Sequence, residues 1–200
     1  MKKILMATAV AATLVAPQAF AQSAGFSGFG FGLNGYFATT ATELSAPAGV
    51  VKFGEGSQNA SLQAAYGFAL GPNGVLGLGV TYNLGDLKGG TFSSAGTSFE
   101  MKGKDMYSVY FEPGYALNNA ALLYAKIAYV ALKGEVSGGG ATNSENFDGV
   151  GYGFGVRAKL EKNVFLQIEF MQQDYDAKTM LGASVKPSGT FGTVGIGYQF

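Results

Sequence analysis

Residues 26–37 of this chain are FSGFGFGLNGYF, and the pattern of this stretch decides how the rest is interpreted. Small or polar residues alternate with large apolar ones at period two, which is the side-chain period of a β-strand. Glycine weakens a strand interior, and a phenylalanine face exposed to water promotes aggregation. The stretch is therefore either a disordered low-complexity tract or a strand whose two faces meet very different surroundings.

Residues 1–21 have the features of a secretory signal peptide. Lys2 and Lys3 precede an apolar run, and Ala19-Phe20-Ala21 matches a small-x-small cleavage site. We expect cleavage at this site, which leaves residues 22–200 as one mature, slightly acidic domain. Such a chain lacks the basic surface that nucleic-acid binding requires, so no nucleic-acid partner is predicted.

The composition favours a membrane protein that does not cross with helices. There is no cysteine, which excludes disulfides and thiolate chemistry in an exported chain. Charged residues are 13% of the chain, about half the usual share. After the signal, no apolar run approaches the 18 or so residues of a membrane helix. An exported, apolar, glycine-rich chain of this kind is typical of a transmembrane β-barrel.

Period-two patterning recurs along the mature chain and predicts an all-β fold. In seven of the predicted strands one face is apolar and the other carries glycine or polar residues. In the fifth strand both faces are fairly apolar, and the charge of Lys126 indicates the inward face, which places Leu123, Ile127 and Tyr129 outward. The eight predicted strands span residues 27–39, 59–70, 75–84, 104–115, 121–132, 149–160, 164–174 and 190–200.

The connections between these strands alternate in length. Short periplasmic turns and long extracellular loops over an even number of strands are the arrangement of bacterial outer-membrane barrels. We therefore predict an eight-stranded antiparallel up-and-down transmembrane β-barrel with both termini on the periplasmic side. The loops hold few large apolar residues besides Phe53, Phe92, Phe99 and Met180. The short turns are 71–74, 116–120 and 161–163, and the four long loops lie near 40–58, 85–103, 133–148 and 175–189.

The opening stretch fits this barrel. Its outward Phe29, Phe31 and Leu33 would meet hydrocarbon, and its inward glycines would leave room for larger inward side chains in a narrow barrel. A disordered tract would not share its period with seven other strands. A soluble lipocalin-like barrel is the nearest alternative, but it would have the opposite polarity, with an apolar interior and a charged exterior.

Two further segments carry a family resemblance. The C-terminal GIGYQF, with Gly195, Tyr198 and Phe200, resembles the signal that the outer-membrane insertion machinery recognises. GYGFGVRAKL at 151–160, followed by a short turn and FLQIEF at 165–170, resembles a hairpin of the small outer-membrane barrels. The chain thus resembles the OmpA transmembrane-domain and OmpX-like group. The resemblance implies an outer-membrane location and, in general terms, inward ion pairs.

The sequence argues against an enzyme. It contains no histidine, which removes the serine–histidine and cysteine–histidine arrangements and the commonest metal ligand. The barrel enzymes of this membrane resemble one another in using a histidine. Asp174 and Asp176, with Glu145 and Asp148, are carboxylates that could meet a divalent cation, but solvated loop residues explain them as well. We predict no cofactor, no metal site and no catalytic residue.

Four charged residues on the inward faces are the strongest candidates for function. They are two acids and two bases, Glu112, Lys126, Arg157 and Glu169. In a narrow interior they should pair, because an isolated buried charge is costly. A neutralised network would plug the barrel, whereas exchange of partners would open a thin water path and act as a gate.

The predicted function is a structural and surface role in the outer membrane. It includes membrane integrity and contacts of the loops with lipopolysaccharide, host surfaces or other cells. The expected partners are membrane lipid and the insertion machinery, and we expect a monomer. The alternative is a narrow gated pore for ions or very small solutes, since eight strands are too few for a wide aqueous channel.

Overall fold

The computed structural model describes residues 22–47, 49–94, 96–180 and 182–200, so the predicted signal peptide lies outside the described residues. A short 3-10 turn over Ser23–Phe26 precedes the strands. No helix in these ranges is both long and apolar enough to cross a bilayer. The strands are β1 (Gly28–Ala46), β2 (Gly49–Phe53), β3 (Gly56–Leu70), β4 (Gly74–Asn83), β5 (Leu87–Ser94), β6 (Thr97–Asn118), β7 (Ala121–Gly138), β8 (Ala141–Lys159), β9 (Val164–Tyr175), β10 (Lys178–Met180) and β11 (Ala183–Gln199).

Eight of these strands close into a ring. The order is β1-β3-β4-β6-β7-β8-β9-β11, every neighbouring pair is antiparallel, and β11 returns to pair with β1. Leu33 on β1, for example, faces Leu62 on one side and Ile196 on the other. The predicted eight-stranded up-and-down barrel is confirmed, and closure pairs the backbone groups of its wall without free edges.

The two faces of the wall alternate as predicted. Large apolar side chains project outward from all eight strands and are about half exposed on the isolated chain. On the fifth wall strand, β7, Leu123, Ile127 and Tyr129 are outward, whereas Lys126 is 3% exposed and lies inside. The outward side chains form an apolar belt that begins at the short turns.

The segments predicted as long loops are largely β-hairpins. The wall strands continue past the belt, and β2, β5 and β10 add to them. Above the membrane the ring becomes two four-stranded sheets, β10-β11-β1-β2 and β5-β6-β7-β8. Within the described ranges no ladder joins β2 to β5 or β8 to β10. One hairpin turns at Gly139 and Gly140, whose φ values of 59° and 80° suit a two-residue hairpin turn.

The inner faces of these two sheets pack on one apolar core. Phe53, Phe92, Phe99 and Met180, which the sequence placed in loops, belong to it. The sheets therefore bury apolar residues against each other in the manner of a sandwich. The other inward members that the two sheets contribute include Leu44, Leu87, Met101, Leu132, Val136, Phe147 and Val185.

A smaller apolar cluster closes the periplasmic end. The turn Ser23–Phe26 folds under the barrel, and Phe26 is 0% exposed. Its ring packs with Val75, Ala116, Leu122 and Tyr124. The Ser23 hydroxyl donates to the carbonyl oxygen of Gly71 at 2.6 Å, which anchors this turn to the first short periplasmic turn.

Candidate functional site

The four inward charges form a continuous chain of ion pairs across the barrel interior. Arg157 Nη2 lies 2.9 Å from Glu112 Oε1, and Lys126 Nζ lies 3.5 Å from Glu112 Oε2. Lys126 Nζ also contacts Glu169 Oε2 directly. All four side chains are at least nine-tenths buried. Two acids alternate with two bases, so the chain is neutral overall.

Strand order explains why these four residues meet. Glu112 is on β6, Lys126 on β7, Arg157 on β8 and Glu169 on β9, which are four successive wall strands. Each lies on the inward face four to six residues from a short periplasmic turn, so all four occupy a narrow band of depth. Their meeting therefore depends on barrel closure and register, which the pattern of one strand does not contain.

Tyrosine rings enclose the charges. The Lys126 ammonium lies 4.2 Å from the centre of the Tyr110 ring, and the Arg157 guanidinium lies 5.3 Å from the Tyr124 ring. The Tyr124 hydroxyl donates to Glu169 Oε2 at 3.2 Å. A Cβ atom at Gly155, on the neighbouring strand, would collide with the Tyr124 ring. Glycine here makes room for an inward aromatic residue, as the opening stretch suggested for the barrel in general.

Amide side chains extend the network to the other side of the barrel. Arg157 Nη2 donates to Gln167 Oε1 at 3.3 Å. Gln167 Nε2 in turn donates to Asn34 Oδ1 at 2.9 Å and to Gln63 Oε1 at 2.7 Å. The polar layer therefore links β6, β7, β8 and β9 to β1 and β3 and crosses the whole lumen.

Two small cavities flank this layer. The cavity on its periplasmic side has a volume of about 20 Å³ and is lined by Phe26, Glu112, Arg157 and Gln199 among others. The cavity on its extracellular side has a volume of about 40 Å³. Either has room for a few water molecules at most. Arg157 Nε, Gln199 Oε1 and the Tyr110 hydroxyl make no hydrogen bond to the described protein atoms, and Glu112 Oε2 has only its ion-pair contact with Lys126 at 3.5 Å.

A second polar group lies above the ionic layer, beneath the apolar core. Asn83 Nδ2 donates to the Tyr36 hydroxyl at 3.0 Å, and the Tyr175 hydroxyl donates to Gln173 Oε1 at 2.8 Å. Met106, buried between them, contacts both Asn83 and Tyr175 through its sulfur. The lumen is thus filled in four layers, which from the periplasm are the Phe26 cluster, the ionic layer, this polar group and the apolar core.

The three residues of the C-terminal segment lie at the seam of the barrel. Tyr198 and Phe200 are outward, with ring centres 5.0 Å apart, and Phe200 N donates to the Phe29 carbonyl at 2.8 Å. Gly195 faces inward, and a Cβ there would collide with Asn34. The segment therefore pairs the last strand with the first and also leaves space for an amide of the polar layer.

Sequence reasoning missed the Phe26 cluster, the enclosing tyrosines and the amide links. Tyr110, Gln63 and Gln167 were on predicted inward faces, so period-two phase could have assigned them to the lumen. No such signal exists for Phe26, which precedes β1. Among the described residues, no group of three or more acids forms a metal-binding cluster, and Asp148 is instead paired with Lys178 at 2.9 Å.

Comparison with known proteins gives matches to membrane barrels. The family model described as "Outer membrane protein beta-barrel domain" matches residues 7–200. Outer membrane protein OprG from Pseudomonas aeruginosa is similar in structure, with 8% identity, a TM-score of 0.53 and coverage of 90% of this chain and 98% of OprG. Ail, the attachment invasion locus protein of Yersinia pestis, in complex with the heparin analogue sucrose octasulfate, has 17% identity, a TM-score of 0.51 and coverage of 87% and 99%. No match was found among curated protein sequences.

Proposed function

Since this chain belongs to the outer membrane protein beta-barrel family, we propose that it is a closed surface barrel rather than a channel. Its location is the outer membrane. Its role is structural and surface-exposed: the belt anchors it in lipid, and the two extracellular sheets contact molecules at the cell surface.

The proposal that the barrel is closed rests on the filling of its lumen. A conducting path would have to pass the Phe26 cluster, a neutral ion-pair layer and an apolar core in turn. Between these layers the cavities are only about 20 and 40 Å³. Moving an ion through a buried apolar core would strip its hydration without replacement, which is strongly unfavourable.

The surface role is supported by the two extracellular sheets. They are held rigidly by their own core, and they raise hairpin tips well beyond the belt. Rigid scaffolds that present short connecting segments commonly carry binding function. The partners that we propose are lipopolysaccharide at the base of the sheets and host or other cell surfaces at their tips. Ail, which shares the fold, is known with a heparin analogue, but its low identity carries only the fold to this chain.

The C-terminal residues Gly195, Tyr198 and Phe200 are proposed as the signal for the outer-membrane insertion machinery. Their position at the β1–β11 seam supports this role, because the closing strand is the one that must pair last with β1. We propose a monomer, since the ring closes through β11 and β1 and leaves no free wall edge for strand pairing with a second copy.

Single-channel recording of residues 22–200 refolded into a planar bilayer tests the closed state. Insertion is first established by the different gel mobility of boiled and unboiled samples. The expected result is an inserted barrel without discrete conductance. Sustained conductance steps in the parent chain would contradict the proposal.

The alternative function is a narrow gated pore, and one observation favours it. The two cavities lie directly on either side of the ionic layer, so breaking the Lys126–Glu169 contact would join them. Glu169→Gln and Arg157→Ala are therefore recorded in the same bilayers. If the parent conducts and either variant changes the frequency or size of its conductance steps, the ionic layer is a gate and the pore is the function.

A further inference from the structure

The outer half of β8 has a free edge above the membrane. Within the membrane β8 pairs with β7 on one side and with β9 on the other, but its ladder with β9 ends at the pair of Gly149 and Tyr175. Residues 141–148 continue upward and pair with β7 alone. Beyond the ladder, one backbone hydrogen bond among the described residues reaches the open side, from Asp176 N to Asp148 O at 2.8 Å. This segment, residues 141–148, is the β8 edge.

The β8 edge presents unpaired backbone groups. In an antiparallel sheet, successive residues of a strand turn their N–H and C=O groups to opposite sides. The Asp148 carbonyl points away from β7, so by this alternation three further residues do the same, and these are Thr142, Ser144 and Asn146. No hydrogen bond reaches their open groups from the described part of the chain, and the three residues are exposed. The edge therefore offers donors and acceptors in the spacing that one more strand requires.

The other free edges of the extracellular sheets are protected, and the β8 edge is not. Proteins guard exposed strand edges with lysine, proline, bulges or very short strands. Strand β2 has five residues and carries Lys52, and β10 has three and carries Lys178. Strand β5 has a bulge after Lys88, whose N–H donates to Ser57 Oγ at 2.8 Å and whose carbonyl accepts from the Thr40 hydroxyl at 2.6 Å. The β8 edge, ATNSENFD, contains no lysine, proline or bulge.

The charge beside the β8 edge is acidic and is not neutralised. Glu145 has no ammonium within 4 Å among the described residues, and neither have Asp174 and Asp176 at the end of β9. The hydrogen bond with Asp148 raises the pKa of Lys178, and the nearby carboxylates of Asp176 and Glu145 raise it further. The other glutamates of the extracellular part are each paired with a lysine at 2.8 to 3.1 Å, and they are Glu43, Glu55, Glu100 and Glu135.

We propose that the β8 edge binds an extended basic segment of a partner protein, which adds to the sheet as one more strand. Hydrogen bonds between the two main chains give the affinity, as in other cases of strand addition. Lysine or arginine side chains of the segment meet Glu145 and the aspartates beside it, which selects basic segments. A second copy of this chain is disfavoured, because two β8 edges would bring the same carboxylates together. This inference rests on the proposed surface role and gives it a class of partner.

Amide hydrogen exchange of refolded residues 22–200 in detergent micelles, read by NMR, tests the site. The probe is an octapeptide of alternating lysine and threonine, titrated into the barrel. One control peptide has the same sequence with every residue N-methylated, which blocks strand pairing and keeps the charge, and the other has glutamate in place of lysine. Glu145→Gln is compared with Glu135→Gln, which changes a paired glutamate of the same sheet. Ser144→Pro removes an N–H on the open side, so the ladder with β7 is kept.

We expect the lysine–threonine peptide to slow exchange at Thr142, Ser144 and Asn146, whereas amides that already pair with β7 keep their rates. The N-methylated peptide and the glutamate peptide should give no such protection. Glu145→Gln should weaken binding about threefold, the loss of one exposed ion pair, and Glu135→Gln should bind as the parent does. Ser144→Pro should abolish the protection while gel mobility shows a folded barrel.

Three results would overturn the proposal: equal protection by the N-methylated peptide, equal effects of the two glutamate variants, or no protection at about 1 mM peptide. Protection that rises with barrel concentration in the absence of peptide would identify a second copy as the occupant and would overturn it as well. A barrel that conducts in planar bilayers but retains protection dependent on Glu145 would contradict only the closed state.

Discussion

The membrane-embedded part of this barrel and the part that projects from it have opposite polarity. Strand β7 runs through both and keeps the same inward and outward faces throughout. Within the membrane its outward Ile127 meets lipid, and its inward Lys126 joins an ion-pair network. Above the membrane its outward Glu135 meets water, and its inward Val136 belongs to an apolar core.

This inversion shows that the solvent outside decides what each face must be. In hydrocarbon an apolar exterior is required, and the narrow interior can hold polar groups only if they satisfy one another. In water the exterior must be polar, and burial of apolar area supplies the stability. The part above the membrane is therefore built like a soluble sandwich and the part within it like a membrane barrel, on the same strands.

The largest expected effect comes from breaking the ionic layer of the embedded part. Lys126→Met leaves Glu112 and Glu169 with one buried base between them, which should lower the free energy of unfolding by about 3–5 kcal/mol. Arg157→Ala should be destabilising for the same reason. Urea titration of the refolded barrel, followed by gel mobility, measures the change.

A double variant separates charge from shape in that test. Lys126→Met combined with Glu169→Gln restores neutrality in the interior and should recover much of the lost stability. A single Lys126→Met barrel that unfolds at the parent's urea concentration would show that the ion pairs do not hold the interior together.

The next effect concerns the core of the projecting part. Phe147→Ala removes a ring that is 1% exposed between the two sheets and should cost about 3 kcal/mol. The loss should appear as faster protease cleavage and hydrogen exchange in the hairpins, while the embedded part stays folded. Asn143→Ala, an exposed position on the same strand, is the control. If the hairpins resist protease cleavage and hydrogen exchange equally well in Phe147→Ala and in Asn143→Ala, the two sheets have no cooperative core.

A matched pair on β7 tests the inversion directly. Ile127 and Ser137 lie on the same outward face, one in the belt and one above it. Ile127→Arg should destabilise the barrel by about 2–4 kcal/mol, because arginine faces the middle of the bilayer. Ser137→Arg should change stability by less than about 0.5 kcal/mol. Urea titrations in the same vesicles compare them, and equal costs would contradict the assignment of the belt.

The smallest effect is expected from surface ion pairs of the projecting part. The hydrogen bond between Lys104 and Glu135 lowers the pKa of Glu135 from 4.5 and raises that of Lys104 from 10.5. The contribution from Glu135 is present above pH 4.5 and is lost as pH falls through its lowered pKa. That from Lys104 is present below pH 10.5 and is lost as pH rises through its raised pKa.

Hairpin stability should therefore be independent of this pair's titration between about pH 5 and pH 10. Since both side chains are partly exposed at the surface, solvent screens the pair. Hydrogen exchange of the β6–β7 hairpin in the parent and in Glu135→Gln should nearly coincide across this range. A clear difference that grows between pH 6 and pH 9 would show that another group titrates against the pair.

The sequence by itself determined the wall of the barrel. Period-two alternation is a local property, and hydrocarbon requires every outward face to be apolar. The eight strands, the phase of each strand and the inward position of Lys126 could therefore be predicted from single segments. The family resemblance, the all-β class and the outer-membrane location followed as well and are confirmed. Gly28, Gly30 and Gly32 of the opening stretch lie on the inward face, as predicted.

Only the tertiary structure decided which residues meet and how far the strands continue. The link from Arg157 through Gln167 to Asn34 depends on closure of the ring, which joins β1 to strands far along the chain. Phe92 and Phe99 were assigned to loops because the rule that held in lipid reverses in water. A strand that crosses from hydrocarbon into water keeps its period but exchanges the polarity of its faces. Which face is apolar at a given residue therefore depends on the position of that residue relative to the membrane.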